Sequence, residues 1–593
     1  MNGFSPFVYK RMFTAAVSLL LVGLACAPLD FAGRELDEAS DTYYVEVVGN
    51  DDNDCLSAET ACYSITGALL KADDLDLILI GEGLFNYEPS ESPFVSLIVT
   101  ESVELRGSGA TSTIIDGNGN TTVVLVDGAT VAINDLQITN GGAFDASSGE
   151  GGGVRVTEDA ILSMRNVAVD FNQSFSAGGA ISNNGSLKIE FSQIRHNRVD
   201  ASSEGADGMN GGAIYNTGDL RLTNVLLNGN SANEGGGIFN ALGASMIAEN
   251  VSMGVNRAFN GGAIFNEGEA TIRYATILNN EAVIDTVDGI YSASDNDTTH
   301  LELLNVTISG HDQVGLFLRS SSDIAYTTIA RNGTGLHLVS FGFDQELRNV
   351  IIAENGGRDC IFEGGIGSRS AIFRGKNLNS DGSCELSEDG PMETGNADLL
   401  ELEEFRFPFF PNRVHPLGPE SEARDFAIGA CPEDDQRFAL RPAGAACDVG
   451  AYEAPISGLS LDDEELVFVT VTPTPTLDPQ QPGTLIIIVD TPCYSGPGDR
   501  WDYVQTLPEG TEAEVVGYAF GGGWYVARNP DNPNVNCWLD EEDVDPNVPI
   551  GDLRLISVPP TPTPQPSATP DDPRQSGNPT EPACVPSPQF PCP

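Results

Sequence analysis

Gly178-Gly179-Ala180-Ile181, Gly211-Gly212-Ala213-Ile214, Gly235-Gly236-Gly237-Ile238 and Gly261-Gly262-Ala263-Ile264 are the segments that decide the fold. A looser copy, Gly151-Gly152-Gly153-Val154, comes first, and successive copies start 27, 33, 24 and 26 residues apart. Two residues after the Ile of each later copy stands an Asn: Asn183, Asn216, Asn240 and Asn266. A second series reads apolar-x-x-Asn, at Val169/Asn172, Ile194/Asn197, Leu227/Asn230, Met253/Asn256, Ile277/Asn280, Ile329/Asn332 and Ile352/Asn355. One rung departs from it, because Ile308 is followed by His311 in the Asn place.

Each repeat holds short alternating strands, such as Leu220-Arg221-Leu222-Thr223-Asn224-Val225. A single repeat of this length cannot bury its apolar face alone, but stacked coils bury one another's inward Ile, Val and Leu. Paired Gly permits the tight corners such a coil needs. Asn tolerates left-handed turns, and stacked amides can bond along the stack. The pattern therefore predicts an all-β chain whose main body is a right-handed parallel β-helix. Leucine-rich repeats would show Leu-x-x-Leu-x-Leu, which is absent, and propeller blades need about 40 residues or more.

The repeats resemble those of bacterial polymorphic outer-membrane and adhesin-type proteins. The flanks resemble a more particular family, the choice-of-anchor Q proteins with right-handed β-helix repeats. On the N-side the matching residues are Asn53-Asp54-Cys55, Cys62-Tyr63-Ser64-Ile65, Ala68 to Ala72 and Asp76 to Ile80. On the C-side they are Asn377 to Asp381 with Cys384, Asp435-Gln436-Arg437, Arg441-Pro442 and Cys447 to Glu453. The resemblance covers residues 43–453 and implies a Cys pair and short helix over the open end, a first strand at Asp76 to Ile80, and an ending segment that closes the solenoid. The stretch Phe405 to Pro411 is more aromatic than the family pattern.

The N-terminus has the layout of an export signal. Lys10 and Arg11 precede the apolar run Met12 to Leu24, which is short for a membrane span. Gly23-Leu24-Ala25-Cys26 resembles a lipoprotein cleavage box, with Gly23 where Leu is usual. That resemblance implies a signal peptide at 1–25, lipidation of Cys26, a tether at 26–42, and a cell-surface protein that meets the membrane only through its lipid. The chain has 11 cysteines, an odd number. With Cys26 set aside the others fall into local couples, expected as disulfides in an oxidising compartment: Cys55 with Cys62, Cys360 with Cys384, Cys431 with Cys447, Cys493 with Cys537, and Cys584 with Cys592.

Beyond the solenoid, residues 454–483 read as an acidic and then Thr/Pro-rich linker, and 558–593 as a Pro-rich tail. Between them, 484–557 is a compact unit of short strands. Its segments Ser495 to Gly498, Leu507 to Thr511, Glu514 to Gly517 and Trp524 to Val526 resemble a bacterial Src-homology-3-like barrel, with Trp538 in the place of a late Trp. The resemblance implies contact with cell-wall peptide or glycan, with Trp524, Tyr525 and Trp538 as candidate ligand-binding residues. Asp531 to Asn536 reads as an insertion, and a spacer unit without ligand is the competing reading.

Acidic residues number 86 against 29 Lys and Arg, for a net charge of −57. Such a field excludes nucleic acid and anionic membrane surfaces as partners and attracts cations. No cluster has the Cys/His spacing of a zinc site. No metal site and no cofactor are therefore expected, apart from calcium drawn by the acids, and the chain is expected to be a monomer. Asp51-Asp52-Asn53-Asp54 could take calcium but lacks a spaced ligand loop and reads as an acidic turn. His311-Asp312 is the most catalytic-looking pair, yet His311 fills an Asn slot and reads first as a turn residue. His196 adjoins ladder Asn197, and Asp295, Asp297 and His300 sit on an inter-coil loop. The insertion Asp200 to Asn210 is where a solenoid would shape a binding face. Two functions stay open: a non-enzymatic scaffold for adhesion or glycan binding, and a polysaccharide lyase, hydrolase or epimerase working on one face. No catalytic residue is assigned.

Overall fold

The computed structural model describes residues 41–455 and 484–556, apart from 87–94, 120, 144–149, 200–208, 283–286, 294–297, 340–342, 364–371, 385–391, 408–409, 490, 496–502, 509, 520–523, 531, 541–543 and 547–554. The chain divides into two compact units, one of them residues 36–465. The export signal, Cys26, the linker and the tail lie outside the described residues.

Within residues 36–465 the parallel strands from Thr42–Val45 to Met392–Thr394 form a right-handed parallel β-helix, the hand that parallel crossovers take in nearly every fold. Its long-strand sheet stacks Thr130–Thr139, Ile161–Asp170, Ser186–Arg195, Asp219–Asn228, Ser245–Gly254, Glu269–Leu278 and His300–Ser309, all parallel. A second sheet stacks the Gly-Gly-Ala-Ile copies, through Val154–Val156, Ile181–Asn183, Ile214–Asn216, Ile238–Asn240 and Ile264–Asn266. Two-residue strands such as Gln173–Ser174 and Arg198–Val199 make a short third sheet. Inward side chains meet their counterparts one rung on, as in the buried column Leu187, Leu220, Met246, Ala270 and Leu301.

The repeat motif is explained position by position. Its first Gly has a left-handed backbone, with φ between 61° and 71° at Gly178, Gly211, Gly235 and Gly261. Its second Gly lies against the next coil, where a Cβ at Gly179 or Gly212 would come 2.3 Å from a carbonyl oxygen. The Ala and Ile that follow point into the core with no exposure at Ala180, Ile181, Ala213 and Ile214. The Asn two residues later is also inward and fully buried, and it survives there only by bonding along the stack. Asn183 donates to Asn216, Asn216 to Asn240 and Asn240 to Asn266, each at 2.8 Å.

The second Asn series forms a parallel ladder: Asn172, Asn197, Asn230, Asn256 and Asn280 follow one another at 3.0–3.1 Å. His311 occupies the next rung, 3.3 Å from the Asn280 amide and 2.7 Å from Asn332 Oδ1. The ladder resumes through Asn332 and Asn355 and ends on Asp359.

At the N-side, the helix Ile65–Leu69 is capped by Ser64, whose hydroxyl accepts from the Gly67 N–H at 2.9 Å. The Cys55–Cys62 disulfide closes the cap. The first strand is Thr42–Val45, earlier than the expected Asp76 to Ile80, and it pairs with Leu77–Ile80. At the C-side, residues 396–454 lie along the outside of the last coils instead of only plugging the end. Thr276, Ser309, Thr328 and Asn349 of the long-strand sheet bond to Arg413, His415, Ala451 and Gly450 of this segment. Behind those contacts sits a buried charge knot. Arg441 donates to Glu453 at 3.2 Å, Arg437 forks onto Asp435, and Arg437 lies 3.7 Å above the Tyr452 ring. The Asp435-Gln436-Arg437 and Cys447 to Glu453 motifs are thus a clasp. Cys360–Cys384 and Cys431–Cys447 are paired.

The smaller unit is described by antiparallel strands from Thr484–Ile487 to Val544–Pro546, with Leu555–Ile556 added in parallel, and the Cys493–Cys537 disulfide lies within it. The expected insertion Asp531 to Asn536 belongs largely to the strand Asn532–Asp540, which pairs with Trp524–Asn529. The expected disulfide between Cys584 and Cys592 is not among the bridges the structure places. Cys584 and Cys592 both fall in the Pro-rich tail, outside the described residues, so the bridge to Cys592 stays an expectation from the sequence.

Candidate functional site

Each long strand turns a corner in its middle, and the half after the corner presents an outward face. In the late coils the clasp covers that face. In the coils Thr130–Thr139, Ile161–Asp170 and Ser186–Arg195 no described hydrogen bond joins the clasp to it. There the outward column runs Gln137, Ala168, Gln193, followed by Thr139, Asp170, Arg195 two residues on.

Asp170 and Arg195 form a forked ion pair, Nε to Oδ1 at 3.2 Å and the terminal nitrogen to Oδ2 at 2.7 Å. The Asp170 side chain is 2% exposed and that of Arg195 is 36% exposed, so the acid is an anchor and the guanidinium is the part a ligand can reach. Gln137 approaches the same carboxylate at 3.5 Å. The next residues, Phe171 and His196, are both exposed and stack with ring centroids 4.8 Å apart and planes 10° apart. Both have left-handed backbones, with φ of 57° and 54°. For a side chain with a Cβ that conformation costs about 1–2 kcal/mol unless the surroundings supply it. The same corner is left-handed at Asn140, Gly229, Val255 and Asn279, so the fold supplies the conformation, and the choice of exposed aromatics there is what the corner itself does not require.

The sequence reading placed His196 beside the ladder and missed its partner Phe171, Asp170 and Arg195. Only the stacking of one rung on the next brings these four together. A second missed feature is the corner itself. Asn166, Asn224, Asn250, Asn305 and Asn349 all have φ near 50–56° and each is followed by Val, a recurrence that was there to be read.

The remaining candidates are accounted for separately. His311 is fully buried, and burial pushes its imidazole down to about 4, so it is a neutral ladder rung. His300 bonds Ser321, while Asp295 and Asp297 lie outside the described residues, as does all of the Asp200 to Asn210 insertion except Met209 and Asn210. Asp51 is engaged by the backbone N–H groups of Tyr63 and Ser64 and by the Ser64 hydroxyl, which makes it a strut of the cap. Tyr525 and Trp538 are only 2% and 5% exposed and pack in the interior of the smaller unit, a correction to their reading as ligand-facing. Of Trp524 only its place in the strand Trp524–Asn529 is described.

One depression of about 390 Å³ is lined by Glu281, Asp288, Asp312, Asn279 and Gln313 among others. The Asp288 carboxyl is held above its ordinary range, chiefly by burial. Its oxygens accept from the backbone N–H groups of Ala282 and Gln313. Among the described residues the short third sheet has its last strand at Glu281–Ala282, and the Ala282 N–H, which in earlier coils would bond the next rung, bonds Asp288. Asp288 stands in register where earlier coils have the second Gly of the motif. Its lone pairs are committed to ending a sheet. Among the described residues, no group of three or more His, Cys, Asp or Glu is placed to hold a metal ion.

No protein-family model matches the chain, and no curated protein does. Among solved structures it is similar to a pectate lyase at 13% identity, over 71% of this chain and 98% of that one, with a TM-score of 0.40. A rhamnogalacturonan lyase is similar at 13% identity, over 61% and 91%, with a TM-score of 0.32. The A-module of a mannuronan C-5 epimerase from Azotobacter vinelandii is similar at 13% identity, over 51% and 91%, with a TM-score of 0.27.

Proposed function

We propose that this is an exported, lipid-anchored cell-surface protein of the choice-of-anchor Q type, whose β-helix holds extracellular or cell-wall glycan on its uncovered face. The observation that carries the reading is the stacked, exposed Phe171/His196 pair beside the half-exposed guanidinium of Arg195. Carbohydrate sites combine aromatic surface with a few planar polar groups held rigid, and Asp170 supplies the rigidity here. The smaller unit is proposed as an Src-homology-3-like barrel; with Tyr525 and Trp538 spent on its core, wall contact would fall to other residues.

The test is binding of the full-length chain to a panel of soluble oligosaccharides and to insoluble cell wall, with and without calcium. Retention that Arg195→Ala and Phe171→Ala weaken supports the reading; retention indifferent to both overturns it. Anchoring is tested by lipid labelling in cells, where Cys26→Ala is expected to abolish the label and release the chain.

An enzymatic alternative, a polysaccharide lyase, hydrolase or epimerase, has one observation in its favour. Exposed Glu281 and Asp312 line the depression described above, beside the structurally engaged Asp288. Reproducible turnover lost in Glu281→Gln and Asp312→Asn would replace the scaffold reading with this one.

A further inference from the structure

Five successive rungs carry a left-handed corner residue just after the long strand, Asn140, Phe171 and His196 beside the uncovered face and Gly229 and Val255 on the two coils where the clasp begins. The 4.8 Å separation of the Phe171 and His196 rings matches the rung spacing of about 4.8 Å. The ring planes therefore lie across the β-helix axis, and the second face of His196 looks at the next rung. That rung is Gly229, which has no side chain. A Cβ placed there would sit 3.1 Å from His196 Cδ2 and 3.5 Å from Nε2, against the imidazole. One rung further, Val255 is 61% exposed. His196 and Val255 thus bound a slot two rungs wide, about 10 Å between backbones, with a glycine floor.

We propose that this slot at Gly229 is a subsite for a single pyranose ring of a glycan, entering edge-on and stacking between His196 and Val255. The inference rests on the reading of the uncovered face as a glycan-binding face and narrows it. A pyranose with equatorial hydroxyls has two flat C–H faces and a polar rim. The slot has one aromatic wall, one aliphatic wall and a polar rim to match. Asn228 adjoins the floor, and its amide makes no hydrogen bond among the described residues; neither does that of Gln193 one coil back. Asp170 holds only one edge of the Arg195 guanidinium, one residue before His196. A nucleic-acid base would also be flat, but the net charge of −57 repels its phosphates. Because the ring planes lie across the axis, the glycan crosses the β-helix and does not run along it.

The experiment titrates full-length protein with cello-, chito- and xylo-oligosaccharides, whose hydroxyls are equatorial, and with manno- and galacto-oligosaccharides, which carry an axial hydroxyl. Gly229→Asn fills the slot while suiting the left-handed corner, and a thermal melt checks that it folds. Val255→Asn removes the far wall independently. The expected result is binding of an equatorial series, perturbation of the His196 ring signals by NMR, and a loss of about tenfold or more in affinity in each variant. Binding that both variants leave intact, but that Arg195→Ala abolishes, overturns the slot and keeps the glycan face. Failure of every oligosaccharide to bind the wild-type chain overturns both.

Discussion

The late and early coils present the same outward columns of the long-strand sheet, and they treat them in opposite ways. In the late coils the outward positions are Thr276, Thr307, Thr328 and Ile351, none more than 1% exposed, each met by the clasp. In the early coils the same column holds Gln137 and Gln193 on either side of the buried Ala168, and the corner carries exposed Phe171 and His196. Small hydroxyls and aliphatics suit a face sealed by the chain itself. Long amides, a guanidinium and exposed rings suit a face left for something else. The difference separates positions selected for packing from positions the fold does not require.

The comparison is broken most severely by dismantling the cover. Arg441 has a side chain with no exposure, paired to Glu453 at 1%. Removing one partner of such a pair leaves an uncompensated buried charge, which costs about 3–5 kcal/mol. Arg441→Met should therefore lower stability by about that much in denaturant titration and raise hydrogen exchange along Thr276, Thr307 and Thr328. Burial already holds the Glu453 and Asp448 carboxyls above their ordinary range. They can take up protons when the cation is gone, so the loss should be smaller at acidic pH than at neutral pH. If the early coils unfold first instead, the clasp is not the seal described here.

The next largest effect lies inside both regions. Asn230 donates to Asn256 Oδ1 and to the Ile194 carbonyl and accepts from Asn197, all while fully buried. Asn230→Ala strands those groups, at about 1–3 kcal/mol for an unsatisfied buried partner. His311→Asn puts the ladder's own residue back and should cost far less at neutral pH. The pH dependence separates the two further. The folded-state value of His311 is depressed from 6.5 to about 4, so its contribution is fully present above pH 6.5 and is lost as pH falls toward 4. The unfolded chain takes the proton first in that window, worth up to about 3 kcal/mol. His415, buried between Ser309 and the Leu400 carbonyl, is shifted the same way. Wild type should lose stability between those pH values, and His311→Asn should lose measurably less; equal slopes would remove His311 as the cause.

What the sequence made legible follows from distance along the chain. The Gly-Gly-Ala-Ile copies and the two Asn series recur at one coil's spacing, and each position answers to the rung beside it. The His311 rung was readable for the same reason. The clasp was visible as motifs but not as a cover, because its contacts join residues such as Ser309 and His415, 106 apart. The Phe171/His196 pair was hidden differently. Its two members lie in separate repeats, and the second was masked by its neighbour Asn197. Asp288 was hidden by losing the glycine that marked its place. Tyr525 and Trp538 show the converse error, where resemblance suggested a ligand face and burial assigns a core.

The smallest expected effect is the one that sharpens the comparison most. If Phe171 were there for packing, replacing it should cost stability. It is 61% exposed, with a left-handed backbone that Asn adopts more readily, and the corresponding corners Asn140 and Asn279 already use Asn. Phe171→Asn should therefore leave stability unchanged or raise it by up to about 1 kcal/mol, read as a small upward shift in melting temperature. The same change should weaken retention on glycan, since it removes half of the stack that supports His196. A gain in stability with a loss of binding is the signature of a position held away from its folding optimum by function. A loss in both would move Phe171 into the same class as Thr276 and Thr307, and the early coils would then be a second sealed face.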